Sequence, residues 1–156
     1  MDRVLRIGLL GCGTVGGGVV TLLDREADDI AARTGARFEV TRIGVRDLQK
    51  ARGRGLPVAD EVFDTDLDAI VEASDVDVVV EVMGGLDPAD RLIRRALELG
   101  KPVVTANKEL VAHAGPELYE AARGAGVDLA YEAAVAGAIP IIKPLKESLA
   151  GDRVTR

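Results

Sequence analysis

Three glycines, Gly11, Gly13 and Gly16, stand at the spacing G-x-G-x-x-G directly after an apolar run from Val4 to Leu10. That spacing is the fingerprint of a turn that cradles dinucleotide phosphates. Each glycine has its own task in it. Gly11 makes the tight turn out of a strand, Gly13 leaves the backbone bare for a pyrophosphate, and Gly16 lets the next helix lie close on the sheet. A helix beginning near Thr14 offers unpaired N–H groups and the positive end of its dipole to phosphates. The competing reading is a glycine-rich turn that binds nothing. The flanking strand and helix weigh against it.

A second group of residues bears on the sugar. The second strand ends in Gly44-Val45-Arg46-Asp47, which in this architecture faces the adenosine ribose. A carboxylate there hydrogen-bonds a free 2′-hydroxyl, and an arginine pairs with a 2′-phosphate. Both types stand side by side, with Lys50, Arg52 and Arg54 close behind. The balance favours NADP over NAD. A solvated basic loop is the rival reading of Lys50, Arg52 and Arg54. Further on, the β-branched run Val76–Met83 leads into Gly84-Gly85, a place where a ligand can approach the backbone. A short apolar strand over 101–105 delivers Ala106-Asn107-Lys108 to the same edge.

The elements that must position these residues alternate. The spacing of Val15, Val19, Leu22, Leu23, Ala27, Ile30 and Ala31 predicts one long amphipathic helix, with Gly35 as its stop. Phe38 to Val45 reads as the second strand, and Gly53 to Asp64 as a polar connection. A short helix follows over 66–73. The next helix takes Asp87 as N-cap and Pro88 as first residue, and carries Leu92, Ile93, Ala96, Leu97 and Leu99 on one stripe. Helical turns are expected over 109–112 and 116–123, a strand over 127–131, and a helix from about Pro140 with a kink at Pro144. The fold class is therefore α/β, a Rossmann-type doubly wound parallel sheet with helices on both faces. Residues 1–131 form the dinucleotide-binding domain. Residues 132–156 form a connector helix and the start of a further domain, and the extended character of 152–156 suggests a truncated protein.

At 156 residues, 47% hydrophobic and 29% charged, the chain can build one domain with a real core. A net charge of -6 argues against a nucleic-acid surface. No apolar run is long enough to span a bilayer, and no secretory signal opens the chain. Cys12 is the only cysteine, which excludes an intrachain disulfide and fits a reducing, cytoplasmic setting. It reads as a small filler of the turn rather than a reactive thiol. His113, the only histidine, reads as a surface residue.

Taken in order, Gly8–Gly16, Val45-Arg46-Asp47, Glu81-Val82-Met83-Gly84-Gly85, Thr105-Ala106-Asn107-Lys108-Glu109-Leu110 and the small-residue run from Glu132 to Ile142 resemble the amino-terminal part of homoserine dehydrogenase. The resemblance covers essentially the whole chain. It implies hydride transfer between NAD(P)H and aspartate 4-semialdehyde or L-homoserine, a step toward threonine, methionine and isoleucine. It implies that Leu10, Gly11, Cys12, Gly13, Thr14, Val15, Gly16 and Gly17 line the pyrophosphate and nicotinamide side of the cofactor. Arg46 matches the position near the ribose, and Gly84 and Gly85 border the nicotinamide ribose. Thr105 and Lys108 match the cofactor-contacting segment, and Lys108 also acts near the substrate, where an ammonium stabilises the charge developing on oxygen. Glu132, Val135, Gly137 and Ile139 match a sodium site built mainly of backbone carbonyls, against which stands a plain connecting turn. The resemblance places the substrate and dimerisation domain beyond this chain. This piece alone is expected to bind the dinucleotide but turn over little homoserine, and the complete enzyme to be a homo-oligomer. The alternatives are a stand-alone non-catalytic NAD(P)-binding module and another oxidoreductase of the same fold.

Overall fold

The computed structural model describes residues 3–137 and 139–148. Six parallel strands form one sheet: β1 (Arg3–Leu10), β2 (Ala36–Gly44), β3 (Phe63–Asp64), β4 (Val78–Glu81), β5 (Val103–Thr105) and β6 (Leu129–Ala130). Their order is β3-β2-β1-β4-β5-β6. The chain thus starts in the middle, builds outward to one edge, returns, and builds to the other. The switch between β1 and β4 is where such sheets open a crevice at their carboxyl ends.

Side-chain alternation explains why the sheet needs cover on both faces. Leu9 and Leu10 are both fully buried, yet they enter different cores. Leu10 and Val79 pack with Ile70, Leu92, Leu97, Leu110 and Leu118, under α4 (Leu67–Glu72), α5 (Ala89–Glu98) and α6 (Lys108–Ala125). Leu9 and Val80 pack with Ile7, Val20, Ile43 and Phe63, under α1 (Thr14–Arg25) and α3 (Leu48–Arg52). Each such burial is worth about 1.5–3 kcal/mol, enough for the apolar runs to dictate the layers.

Several expectations need correction. The long first helix is two, α1 and α2 (Ala27–Thr34), divided at Glu26, where φ is -101° and ψ 15°. Its expected stripe is rotated: Val15 and Leu22 are about half exposed, while Gly16, Gly17 and Val20 face inward. Gly16 lies against the Gly11 carbonyl and Val82, and Gly17 against Arg54 and Leu56, so the inward face is centred on the two glycines. The basic loop contains α3, capped by Asp47, whose Oδ1 accepts the Lys50 N–H at 3.0 Å. The polar connection hides β3, only two residues long. Helix α5 starts at Ala89 with Pro88, not Asp87, at its N-cap position, and no side chain caps it. The two helical turns after Lys108 join across a kink at Ala114. The expected connector helix ends as a π-helical turn over Pro144–Ser148, and its Leu149 lies outside the described residues.

Candidate functional site

The carboxyl ends of β1, β2 and β4 converge on a groove of about 680 Å³. The glycine turn forms its floor. Gly11 leaves β1 with φ +98°, a conformation that glycine adopts without penalty. The turn is pinned on both sides, since Gly11 N–H donates to Gly44 O and Val82 N–H donates to Leu10 O, both at 2.9 Å. A β-carbon on Gly16 would collide with the carbonyl oxygen of Gly11, so the helix can approach only as glycine. Gly13 is different. A β-carbon there would meet nothing within 4 Å. The protein itself does not demand a glycine at Gly13, but a guest lying on the amides at the start of α1 would.

One wall of the groove is cationic. Arg46, Lys50 and Arg54, spaced four residues apart, all line it, and all three are exposed. Arg54 reaches furthest. Its Nη1 donates to Cys12 O at 2.9 Å, which lays the guanidinium over the first turn of α1. From the sequence alone Arg54 reads as one of several loop cations. The fourfold spacing was the available signal, and it depends on α3 forming between them. Asp47 also lines the groove, but one of its oxygens is committed to capping α3. Burial pushes the Cys12 thiol up from its ordinary range, and the nearby Arg54 charge offsets this only in part. A protonated, half-buried thiol is a filler rather than a nucleophile.

The opposite rim is built from β4 and β5. Gly84 and Gly85 follow β4 with φ +78° and +75°, and Gly84 lines the groove with Met83 and Asp87. Thr105 is fully buried, and its hydroxyl donates to Glu81 Oε2 at 2.6 Å. Asn107 caps α6 by accepting the Leu110 N–H, and its Nδ2 donates to Gly85 O at 2.6 Å. Lys108 is the exposed first residue of α6. The sequence pattern singles out neither Glu81 nor Asn107.

The segment expected to hold a cation lies apart, after β6. Ala136 and Gly137 have left-handed backbone, φ 53° and 64°. The Glu132 carboxylate accepts from the N–H groups of Ile141, Ile142 and Lys143. Desolvation pushes its pKa up, but the three N–H groups and the Lys143 charge outweigh that and hold it below the usual carboxylate range. Among the described residues, no three His, Cys, Asp or Glu side chains gather as a metal cluster. No described helix is long and apolar enough to cross a membrane.

Residues 11–132 match the family model described as "Homoserine dehydrogenase, NAD binding domain". The chain belongs to the homoserine dehydrogenase family. It is 48% identical over 155 residues to homoserine dehydrogenase of Mycobacterium tuberculosis strain H37Rv, covering 99% of this chain and 34% of that protein. The enzyme of Synechocystis is 51% identical over 151 residues, covering 96% of this chain and 34% of that protein. Among solved structures, a homoserine dehydrogenase from Thiobacillus denitrificans superposes with a TM-score of 0.87 at 47% identity, over 97% of this chain and 34% of that one. A hyperthermophilic archaeal homoserine dehydrogenase in complex with NADPH gives 0.78 at 26% identity, over 96% and 50%. The chain spans about a third of the length of these curated relatives. It carries the NAD(P)-binding domain of a homoserine dehydrogenase, an oxidoreductase family.

Proposed function

We propose that the groove binds NADP(H), with the diphosphate on the amides at the start of α1 beside Arg54 and the 2′-phosphate against Arg46 and Lys50. The observation that carries this reading is the cationic wall facing a bare glycine turn in a chain whose net charge is -6. Charge-assisted, bidentate bonds from arginine suit a phosphate, and NADH offers only a hydroxyl there. Gly84 and Gly85 border the nicotinamide ribose. Thr105, fully buried with its hydroxyl turned inward to Glu81, supports the cofactor-facing rim from behind rather than touching the cofactor.

In the complete enzyme, proposed to be a cytoplasmic homo-oligomer, this domain serves reversible hydride transfer between aspartate 4-semialdehyde and L-homoserine. Bound NADPH supplies the hydride. Lys108 holds a positive charge near the substrate oxygen as its negative charge develops. Its placement supports this role, because a cation in the first turn of a helix opposes the helix dipole and stability does not ask for it there. The carbonyls of Glu132, Val135, Gly137 and Ile139 are the proposed holders of a sodium ion. The left-handed turn at Ala136 and Gly137 swings successive carbonyls out of line, and the Glu132 side chain is committed elsewhere; its backbone oxygen accepts the Val135 N–H at 3.1 Å and would meet the ion through its second lone pair.

Calorimetric titration of NADPH and NADH into this chain and into its Arg46→Ala variant tests the cofactor assignment. NADPH binds the wild type more tightly, and the substitution costs NADPH about tenfold more than NADH. Equal losses would remove Arg46 from the 2′-phosphate role.

A further inference from the structure

Glu81 is the one fully buried carboxylate among the described residues. It stands between the two central neighbours of its strand, in register with Leu10 of β1 and Thr105 of β5. A carboxylate in the middle of a six-stranded sheet is costly unless every oxygen finds a donor. Here each does. Oε1 accepts the N–H groups of Met83 at 2.8 Å and Gly84 at 3.2 Å, and Oε2 accepts the Thr105 hydroxyl. All the donors are neutral. No buried side-chain nitrogen or oxygen among the described residues lacks a partner.

These bonds continue into a closed ring. The Thr105 hydroxyl accepts the Asn107 N–H at 3.0 Å, and Asn107 Nδ2 donates to Gly85 O. Gly85 is joined through the chain to Gly84, which returns to Glu81. The ring ties the loop after β4 to the start of α6. It therefore fixes Gly84 and Gly85 relative to Lys108, next in sequence to Asn107. A buried alanine or leucine at this position would pack the sheet as well, but would leave two loop N–H groups and a hydroxyl without acceptors.

We infer that Glu81 is a positioning residue that holds the Gly84–Gly85 loop and Lys108 in one rigid frame, so that binding of the nicotinamide half of the cofactor depends on it and binding of the adenosine half does not. The inference rests on the groove being the NADP(H) site. Glu81 touches neither cofactor nor substrate in this scheme and acts through the backbone of Gly84 and Gly85 and through Asn107.

The test titrates two ligands into this chain: NADPH, and adenosine 2′,5′-bisphosphate, which has no nicotinamide half. Two variants are used, because Glu81→Gln changes a buried group and its folding is checked by circular dichroism. In Glu81→Gln the new amide N–H group faces the Thr105 hydroxyl in place of an acceptor. Asn107→Asp keeps the cap on α6 but removes the donor to Gly85 O. Both variants are expected to weaken NADPH about tenfold, the scale of one or two lost hydrogen bonds, and to leave the bisphosphate within about twofold. Equal losses for both ligands, or unchanged NADPH binding in Asn107→Asp, would overturn the positioning role alone. Failure of the wild-type chain to bind either ligand would overturn the cofactor site itself and this inference with it.

Discussion

Arg54 donates from Nη1 to the carbonyl oxygen of Cys12 at 2.9 Å, across 42 residues of sequence. This bond carries the cationic wall of the groove onto the glycine turn. It places a guanidinium over the first turn of α1, beside the proposed diphosphate position. Arg46, nearer the end of β2, has no such reach to the turn. The two arginines therefore have separable effects.

Replacing Arg54 with Ala removes the bond to Cys12 and the charge over the turn. Because both NADPH and NADH carry the diphosphate, the two are expected to lose affinity alike, by about tenfold. Thermal stability should change little, since Arg54 is exposed. Calorimetry with both cofactors checks this, and a loss confined to NADPH would move Arg54 to the 2′-phosphate.

Gly13 and Gly16 separate function from fold within one motif. Gly13→Val places its side chain in open space, so the melting temperature should hold while dinucleotide binding is abolished. Gly16→Ala drives a β-carbon into the Gly11 carbonyl and is expected to destabilise by about 1–3 kcal/mol. Paired thermal melts and NADPH titrations distinguish them. A destabilised Gly13→Val with normal binding would place the phosphates elsewhere.

What the sequence made legible follows from how local each signal is. The glycine turn, the apolar strands and the αL stop at Gly35 rest on a few adjacent residues, and they stand where expected. The inward face of α1 was misjudged because its centre is Gly16 and Gly17, which contribute no hydrophobicity to a stripe. The strand β3 escaped because two residues, Phe63 and Asp64, make no pattern, and only pairing with Ile43 and Gly44 defines it. Glu81 and Asn107 escaped for a related reason. The bonds that join them across the sheet span 24 and 22 residues, so a carboxylate inside an apolar run reads as an irregularity until β4 and β5 are side by side.

Asp77 sets an acid limit on stability. The Arg6 side chain and backbone N–H both bond its carboxylate and lower its pKa from 3.8 to about 2. A depressed folded-state pKa means stability that is fully present above the unfolded value and fades as pH falls through the folded one. The window therefore runs from about pH 4 down to about pH 2. Both side chains are about a third exposed, so screening keeps the contribution modest. Asp77→Asn should lower the melting temperature slightly at pH 7 and not at all near pH 2. Melts across that range check it, and a constant difference would mean that the pair's charge is not the cause.

Glu132 holds the chain after the left-handed turn by accepting three successive N–H groups, those of Ile141, Ile142 and Lys143. These are the backbone donors that a helical start would otherwise leave to water. Its pKa is lowered in the folded chain, so the hold is present above the unfolded carboxylate range and is released on acidification. Glu132→Gln keeps the size but gives up one acceptor oxygen and the negative charge, and charge-assisted bonds are roughly twice as strong as neutral ones. Trypsin cleavage after Lys146, an exposed residue three positions beyond the held segment, should accelerate several-fold in the variant at neutral pH. The rest of the domain, whose cores do not include Glu132, should resist as before. Cleavage at an unchanged rate would mean that residues 141–143 are held by other contacts.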